Sequence, residues 1–347
     1  MSQRISVDPR SKLVYASMYI YGLQKLYGKR HVSFNPIPFK NLIQDSDHED
    51  FDHYFAFFEN QTKRRYIVDF RDKNTFNVNA LHWSDVYAKV NFNSQTDEYK
   101  DLSENLKIKI IPIGPHFGIN LHSSLRIYLL FFYNYFLAKS LLNYTVSIRT
   151  FMSGYNWLRR RSFIQSFSPS KARLDYVFHL SSLYKNQVLG DKTNEMRAIF
   201  VRASRRAVGV QFEGGLVQRN GDLENDYSDV VVNLTIPHKF YLGKIKESKF
   251  VFSTPAAWGC HGWKLGEYFA LGKAIISTPF YNDIPLGIKH GENIHIAGTK
   301  DEIYEAVNLI NSNDDYRAKL EKGAIDYYNN YIEPSVVVRR ILGQLSQ

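Results

Sequence analysis

Cysteine is all but missing. Cys260 stands alone among 347 residues, so no disulfide can staple the chain internally and a packed core must hold it. Long apolar runs are absent too. The nearest, LRIYLLFFYNYFLAKSLL at 125–142, is interrupted by Arg126, Asn134 and Lys139, whereas a bilayer span needs about 20 unbroken apolar residues. Zinc-ligand spacings, nucleic-acid modules and long lysine runs are missing as well, which sets nucleic acid aside as a partner. The opening MSQRISVDPRSKLVYASMYIYG has Arg4, Asp8, Arg10 and Lys12 ahead of a short apolar run and no small-residue cleavage site. It is a poor signal peptide, and a reducing, cytoplasmic setting is the expectation.

What is present describes a folded protein: 44% hydrophobic and 22% charged residues, with 24 Tyr and 24 Phe. The length suggests two domains, each able to bury its own core. A net charge of +10 favours anionic partners such as phosphorylated small molecules or acidic lipid. For 125–142 three readings stand: a largely buried helix, a spanning helix, or a helix lying on a membrane or a lipid-linked acceptor. The nearby WLRRRS at 157–162 supports the last. Peripheral contact through 125–161, at the inner face of the membrane, follows from it.

Along the chain, apolar spacing predicts a helix over 13–28, then strands over 31–36, 51–59 and 64–72. A short helix start feeds a further strand within 83–93, and a β-branched run follows at 106–120. SFSPSKAR at 166–173 marks a linker. Beyond it the alternation restarts: strand 174–181, helix 193–207 with Thr193 as N-cap, strand 208–215, helix 236–248, strand 249–255, helix 262–272, strand 273–279, and helices over 300–312 and 314–331. The fold class expected is α/β, with a doubly wound parallel sheet in the second half.

TPAAWGCHGWKLGEYFALGKAIISTPF, 254–280, reads strand, loop, helix, strand. In an open parallel sheet, ligands sit beyond the carboxyl ends of strands, where helix N-termini point. Gly259 and Gly262 let backbone N–H groups approach a phosphate. Lys264 lies in the first turn of the helix, where a lysine is placed against the dipole unless an anion is near. His261 is a further hydrogen-bond donor. Glu267, three residues after Lys264, faces the same side and suits a vicinal diol such as that of a ribose. An ordinary Lys–Glu helix pair beside a structural glycine loop is the plainer reading of the same residues.

CHGWKLGEYFALGKAIISTPF resembles the donor-binding half of GT-B glycosyltransferases, sugar-nucleotide enzymes with two facing Rossmann-like domains. The likeness is to a bacterial branch with the signature GCHGWKLGE…ALGKAIIST, and more distantly to the retaining group with its Glu-x7-Glu motif. Glu267, Ala270, Leu271, Gly272, Lys273, Ile275, Ile276 and Ser277 carry it. The resemblance implies that Glu267 binds the nucleotide ribose. The motif's first glutamate falls on Gly259, so its sugar contacts must come from elsewhere, with His261 the candidate. It further implies a phosphate-facing loop after the strand at 174–181, with Lys185 its candidate cation, and no need for a metal or resident cofactor. A last helix near 334–345 would cross back toward the N-terminal domain.

Other candidates come from predicted strand ends and loops. Glu213 ends a strand beside two glycines, and Asn282 and Asp283 follow another; each is a candidate for the donor, with turn-shaping or solvation as the plainer role. Arg205 and Arg206 sit at a helix end, where cations are stabilised anyway. For a catalytic base, Asp69, Asp72, Asp85 and His116 lie at strand ends or in the GPHFG loop of the first half. The acidic DSDHED at 45–50 reads as a loop rather than a metal site.

The expectation is a GT-B glycosyltransferase moving a sugar from a nucleotide-sugar donor to a hydroxyl of a glycan or lipid-linked acceptor. Its parts are an acceptor-side domain (1–165), a linker (166–173), a nucleotide-sugar domain (174–330) and a returning C-terminal helix (331–347). A non-transferase Rossmann-type sugar-nucleotide binder or sensor is the alternative.

Overall fold

The computed structural model describes residues 4–42, 54–184, 187–218, 227–285 and 287–345. Backbone contacts divide the chain into two compact units, Met1–Ile164 with Tyr331–Gln347, and Gln165–Asn330.

The first unit is built on a six-stranded sheet: β1 (Ile5–Val7), β2 (Val32–Phe34), β3 (Tyr54–Glu59), β4 (Arg64–Asp69), β5 (Val86–Lys89) and β6 (Ile110–Pro112), in the order β2-β1-β3-β4-β5-β6. β1 pairs with β2, β4 with β5, and β5 with β6, in parallel. β3 runs antiparallel to both of its neighbours. An alternating α/β pattern leads one to expect crossovers throughout, but only a four-residue turn separates β3 from β4. That spacing makes a hairpin, which forces antiparallel pairing. Phe57 of β3 stacks on Tyr66 of β4 with ring centroids 4.6 Å apart. β1, three buried residues among charged neighbours, has no apolar run by which to read it.

Three helices of this unit matter below: α1 (Leu13–Tyr27), α3 (Ser124–Leu142) and α4 (Ile148–Arg159), with the short α2 (Val78–Trp83) between them. α3 begins and ends almost where its apolar spacing places it, but the largely buried reading is overturned. Only Ile127, Phe131, Asn134 and Ala138 of this helix are buried.

The second unit holds β7 (Tyr176–Ser182), β8 (Gln211–Val217), β9 (Phe250–Ser253), β10 (Ala274–Ser277) and β11 (His295–Ile296). All of its strand pairings are parallel. β7 lies beside β9: the Lys249 N–H donates to the Tyr176 carbonyl at 2.8 Å, and the Phe178 N–H donates to Ser248 Oγ at 2.8 Å. A single parallel bridge joins Leu216 to Val231 at the far side of β8. Numbered by position in the chain, the order from that bridge to β11 is third, second, first, fourth, fifth, sixth. This is the doubly wound dinucleotide-type order.

Side-chain alternation along β7 shows how both faces are covered. Phe178 meets Tyr241 of α6 (His238–Glu247). Its neighbour His179 turns the other way, toward Phe200 of α5 (Gln187–Arg206). Phe200 stacks on Phe252 of β9 at 4.5 Å. α7 (Trp263–Ala270) links β9 to β10, and α8 (Lys300–Ser312) and α9 (Asp314–Tyr327) follow β11. Thr193 is not an N-cap: α5 starts six residues earlier, and the Thr193 hydroxyl donates to the Pro255 carbonyl at 3.2 Å.

The last helix, α10 (Pro334–Ile341), packs on α1 in the first unit. Lys25 pairs with Glu333 at 2.8 Å, and a Cβ on Gly22 would stand 2.2 Å from the Pro334 carbonyl oxygen and 2.7 Å from Val338 Cγ2. The backbones approach too closely for any side chain. Gly22→Ala is therefore expected to lower unfolding stability by about 1–3 kcal/mol through overpacking, despite alanine's better helix propensity. A shift of the denaturant midpoint to lower concentration checks it; an unchanged midpoint would show that the helices separate freely.

Candidate functional site

The doubly wound order reverses between β7 and β9, and this switch point is where such sheets bind ligands, beyond the carboxyl ends of the strands. Two cations converge there. Lys264, in the first turn of α7, donates its ammonium to the Leu180 carbonyl near the end of β7 and lies 5.7 Å over the Tyr241 ring. Arg197, on the inward face of α5, is 7% exposed. Its NH1 donates to the Ser182 carbonyl at 2.6 Å and its Nε to Thr254 Oγ1, just past β9, at 3.1 Å. The ring of Tyr184 lies 4.8 Å from the guanidinium. Among the described residues no carboxylate pairs with Arg197. Burial pushes His179 far below the ordinary histidine range, and the charges of Lys264 and Arg197 add to that shift. The strand end thus holds concentrated positive charge, and the acceptors of the Arg197 donors are neutral oxygens.

Arg197 was not among the residues singled out in the sequence, where it reads as one of several basic residues in a long helix. Its signal is positional: it lies on the apolar stripe with Ile199, Phe200 and Ala203 nearby, so it must point inward.

Glu267 also points inward, 3% exposed on α7, with its Oε1 3.3 Å from Nε2 of His238 at the start of α6. His238 is a second residue that sequence reasoning passed over. It follows Pro237 at a helix start, a position more often occupied by a cap than by chemistry. α7 has Gly262 as N-cap, with no side chain capping its first turn. A Cβ on Gly262 would touch nothing nearer than Ala256 Cβ at 3.9 Å, so internal packing does not require glycine there. The space is left open at the end of the helix where backbone N–H groups favour anions.

Other residues of the expected site serve the loops instead. Gly259 adopts φ 71° beside Trp258 at φ 53°, and its N–H donates to the Ala256 carbonyl at 3.1 Å, so that N–H belongs to the turn and not to a phosphate. A Cβ there would also collide with Tyr281 at 2.7 Å. Asn282 is buried and donates its Nδ2 to the Gly259 carbonyl at 3.0 Å. His261 is buried, and its Nε2–H donates to the Asp283 carbonyl at 3.4 Å. These contacts staple the loop after β10 to the loop after β9. Burial pushes His261 down to about 4, so it is neutral at neutral pH and is no cation for an anion to find.

Glu213 is displaced from the site. It lies opposite Phe178, early in β8 rather than at its end, held by Lys244 at 2.7 Å and by the Tyr176 hydroxyl at 2.6 Å. Burial would raise its carboxyl, but those two partners hold it below the ordinary range. Arg205 donates to the Asp229 carbonyl and Arg206 to the Tyr304 hydroxyl, both at the surface. Lys185 and the acidic stretch 45–50 lie outside the described residues.

Of the four acid–base candidates of the first unit, Asp72 is exposed, and Asp69, Asp85 and His116 are structural. Asp69 closes β4 and is fully buried. Arg71 reaches it at 2.9 Å, Lys89 at 3.0 Å and the Tyr87 hydroxyl at 2.5 Å. Burial alone would raise its carboxyl; Arg71 and Lys89 more than reverse this and hold it far below the usual range. A base so satisfied takes no proton from an acceptor. Asp85 precedes β5, at the opposite end of the sheet, and is clasped by Arg65 through its backbone N–H and guanidinium. Those hydrogen bonds keep it below its ordinary value. His116 is buried against Tyr15, Tyr19 and Phe70, and burial drives it down to about 3, too weak a base for proton abstraction.

No family model and no curated protein matches the chain. Solved structures do resemble it. The C-terminal domain of a glycosyl transferase group 1 family protein from Francisella tularensis is 13% identical, covering 48% of this chain and 96% of that one, with a TM-score of 0.37. Anabaena HepE in complex with UDP-glucose is 11% identical over 76% of this chain and 79% of its own, with a TM-score of 0.38. TarM is 12% identical over 95% of this chain and 85% of its own, with a TM-score of 0.39; another structure of it is from S. aureus. Likeness this slight carries no weight of its own, and the reading below rests on topology and side chains.

His116 and His261 enter the fold neutral. An unfolded histidine takes up its proton near pH 6.5, whereas the folded rings do so only near 3 and 4. Between these limits the unfolded chain binds more protons, so stability falls as pH drops. Urea unfolding at pH 7, 5.5 and 4.5 is expected to show a loss of up to about 1.4 kcal/mol per pH unit for each ring. A flat profile would place both rings in contact with water.

Proposed function

We propose that this chain is a glycosyltransferase of the GT-B type, moving a sugar from a nucleotide-sugar donor to the hydroxyl of a glycan or lipid-linked acceptor. The observation that carries the reading is Arg197: a buried guanidinium at the topological switch point, with no carboxylate opposite it among the described residues and Lys264 beside the same strand end. Leaving a buried charge unneutralised is costly, and a diphosphate supplies two or more negative charges at the place where the sheet binds ligands.

In this reading the donor diphosphate lies beyond β7 and β9, against Arg197, Lys264 and the uncapped start of α7. Gly262 lets it approach the backbone. Glu267, oriented by His238, receives the pentose hydroxyls. As the bond from sugar to phosphate breaks, negative charge grows on the departing diphosphate, and fixed cations in a water-poor pocket stabilise it without reorganising. Two side-chain cations do there what a divalent ion does in other transferases, so the reaction is proposed to need no metal or resident cofactor. The nucleotide sugar is consumed as substrate. Catalysis rests on leaving-group stabilisation and on holding the acceptor in place, since Asp69, Asp85 and His116 are unsuited to accept a proton. A reducing, cytoplasmic compartment is the proposed setting.

A panel of nucleoside diphosphates and their sugars is expected to contain one that raises the thermal midpoint by mass action. Arg197→Ala and Lys264→Ala each weaken that ligand at least about tenfold, or 1.4 kcal/mol, while Glu213→Ala leaves it unchanged. Slow release of nucleoside diphosphate from the matching sugar, lost in both variants, marks a transferase. Tight binding without turnover over a broad acceptor panel marks a sugar-nucleotide sensor instead. No shift across the panel would remove the reading altogether.

A further inference from the structure

The net charge of +10 is not spread along the chain. Residues 105–174 contain ten Lys and Arg and not one Asp or Glu; everything else is balanced at 34 of each sign. At the centre of that stretch lies α3, a helix with apolar residues on its outward as well as its inward face. Its inward face carries the polar Asn134, whose Nδ2 donates to the Tyr155 hydroxyl of α4 at 3.0 Å. Its outward face carries Leu125, Leu129, Phe132, Tyr133, Phe136 and Leu141, with Leu125 70% and Phe136 66% exposed. Leu125, Leu129, Phe132, Tyr133 and Phe136 follow the helical repeat and form one stripe over 125–136, about 18 Å of axis; Leu141 is exposed beyond its end. Ile148 and Trp157 of α4 are also exposed.

Exposed cations accompany the stripe: Arg126 and Lys139 on α3, Arg149 and Arg159 on α4, and Arg160 just beyond it. Arg159 donates to the Tyr128 hydroxyl at 2.5 Å and lies 5.3 Å over that ring, tying the basic end of α4 to α3. Among the described residues no helix is long and apolar enough to cross a membrane.

We infer that α3 and α4 form a docking face for a bilayer containing anionic phospholipid, with α3 lying in the plane of the headgroups. Three occupants present themselves. A second copy would bring the same acid-free surface against this one, so like charges would oppose the contact. An acidic polysaccharide would satisfy the cations and leave the leucine and phenylalanine stripe in water. An anionic bilayer satisfies both at once: headgroup phosphates meet the basic rim, and the upper acyl region takes the apolar stripe. This inference does not rest on the transfer reading, because a chain that turns over no sugar nucleotide can still bind vesicles.

Flotation of the full chain with vesicles tests it. The protein is expected to float with mixed phosphatidylcholine and phosphatidylglycerol, to stay behind with phosphatidylcholine alone, and to be released by high salt. Phe132→Ser with Phe136→Ser, and separately Arg126→Gln, Lys139→Gln and Arg160→Gln together, each lower vesicle partitioning by about tenfold or more. All of these side chains are exposed, so thermal midpoints stay at the unsubstituted value, which separates lost docking from lost folding. Absence from the floated fraction overturns the inference, as does flotation indifferent to lipid charge. So does a dimer in sedimentation velocity that the phenylalanine substitutions dissociate. Equal binding of a soluble acidic polysaccharide by the phenylalanine variant, with no vesicle binding by the parent, assigns the face to glycan and sinks it too.

Discussion

A positive charge inside a protein must be answered by something, and at the end of β7 nothing in the described structure answers Arg197 with a charge of its own. The guanidinium is held by the Ser182 carbonyl and the Thr254 hydroxyl, and Lys264 leans on the Leu180 carbonyl two residues away. Neutral oxygens satisfy the geometry of the Arg197 donors but not their charge. Burial, with these charges adding to it, holds His179 far below the ordinary histidine range, Glu267 pairs with His238, and the loops after β9 and β10 are stapled by Asn282 and His261.

The first unit shows the opposite solution. Asp69 is answered three times over, by Arg71, Lys89 and Tyr87. Removing the carboxylate would leave two buried cations facing one another, so the cluster locks β4 to β5 and the loop beyond them. Burial even draws the Lys89 ammonium down to about 8, against the pull of Asp69. Both clusters sit at the carboxyl ends of parallel strands, and both look like chemistry when read as letters. The distinction is whether the charges close on themselves, and closure depends on which side chains the fold brings together.

That explains how much could be read from the sequence. The second unit was legible because its strands are buried on both faces and appear as short apolar runs between amphipathic helices. KFVFSTP and KAIISTP fell within a residue or two of β9 and β10. The inward aim of Lys264 and Glu267 was legible from their spacing on α7. β1 was not, since three residues carry no period; the antiparallel β3 was implicit in the four residues between the expected strands at 51–59 and 64–72, a connection too short for a crossover. Thr193 looked like a cap because the helix's first turns lack an apolar stripe. Glu213 was assigned to a strand end that lies four residues further on. Arg197 and His238 needed the third dimension: each is unremarkable among its sequence neighbours and is defined by an element far along the chain.

One feature of the switch point bears on selectivity. Lys264 and Arg197 donate to carbonyl oxygens of β7, at Leu180 and at the terminal Ser182. A ligand must take these donors away from backbone acceptors, and the carbonyls it displaces must find water or other donors. A monovalent anion gains little from that exchange, whereas a group carrying two or more charges recovers the loss and more. In the proposed reading these contacts set a threshold that favours polyanions over chloride and simple carboxylates.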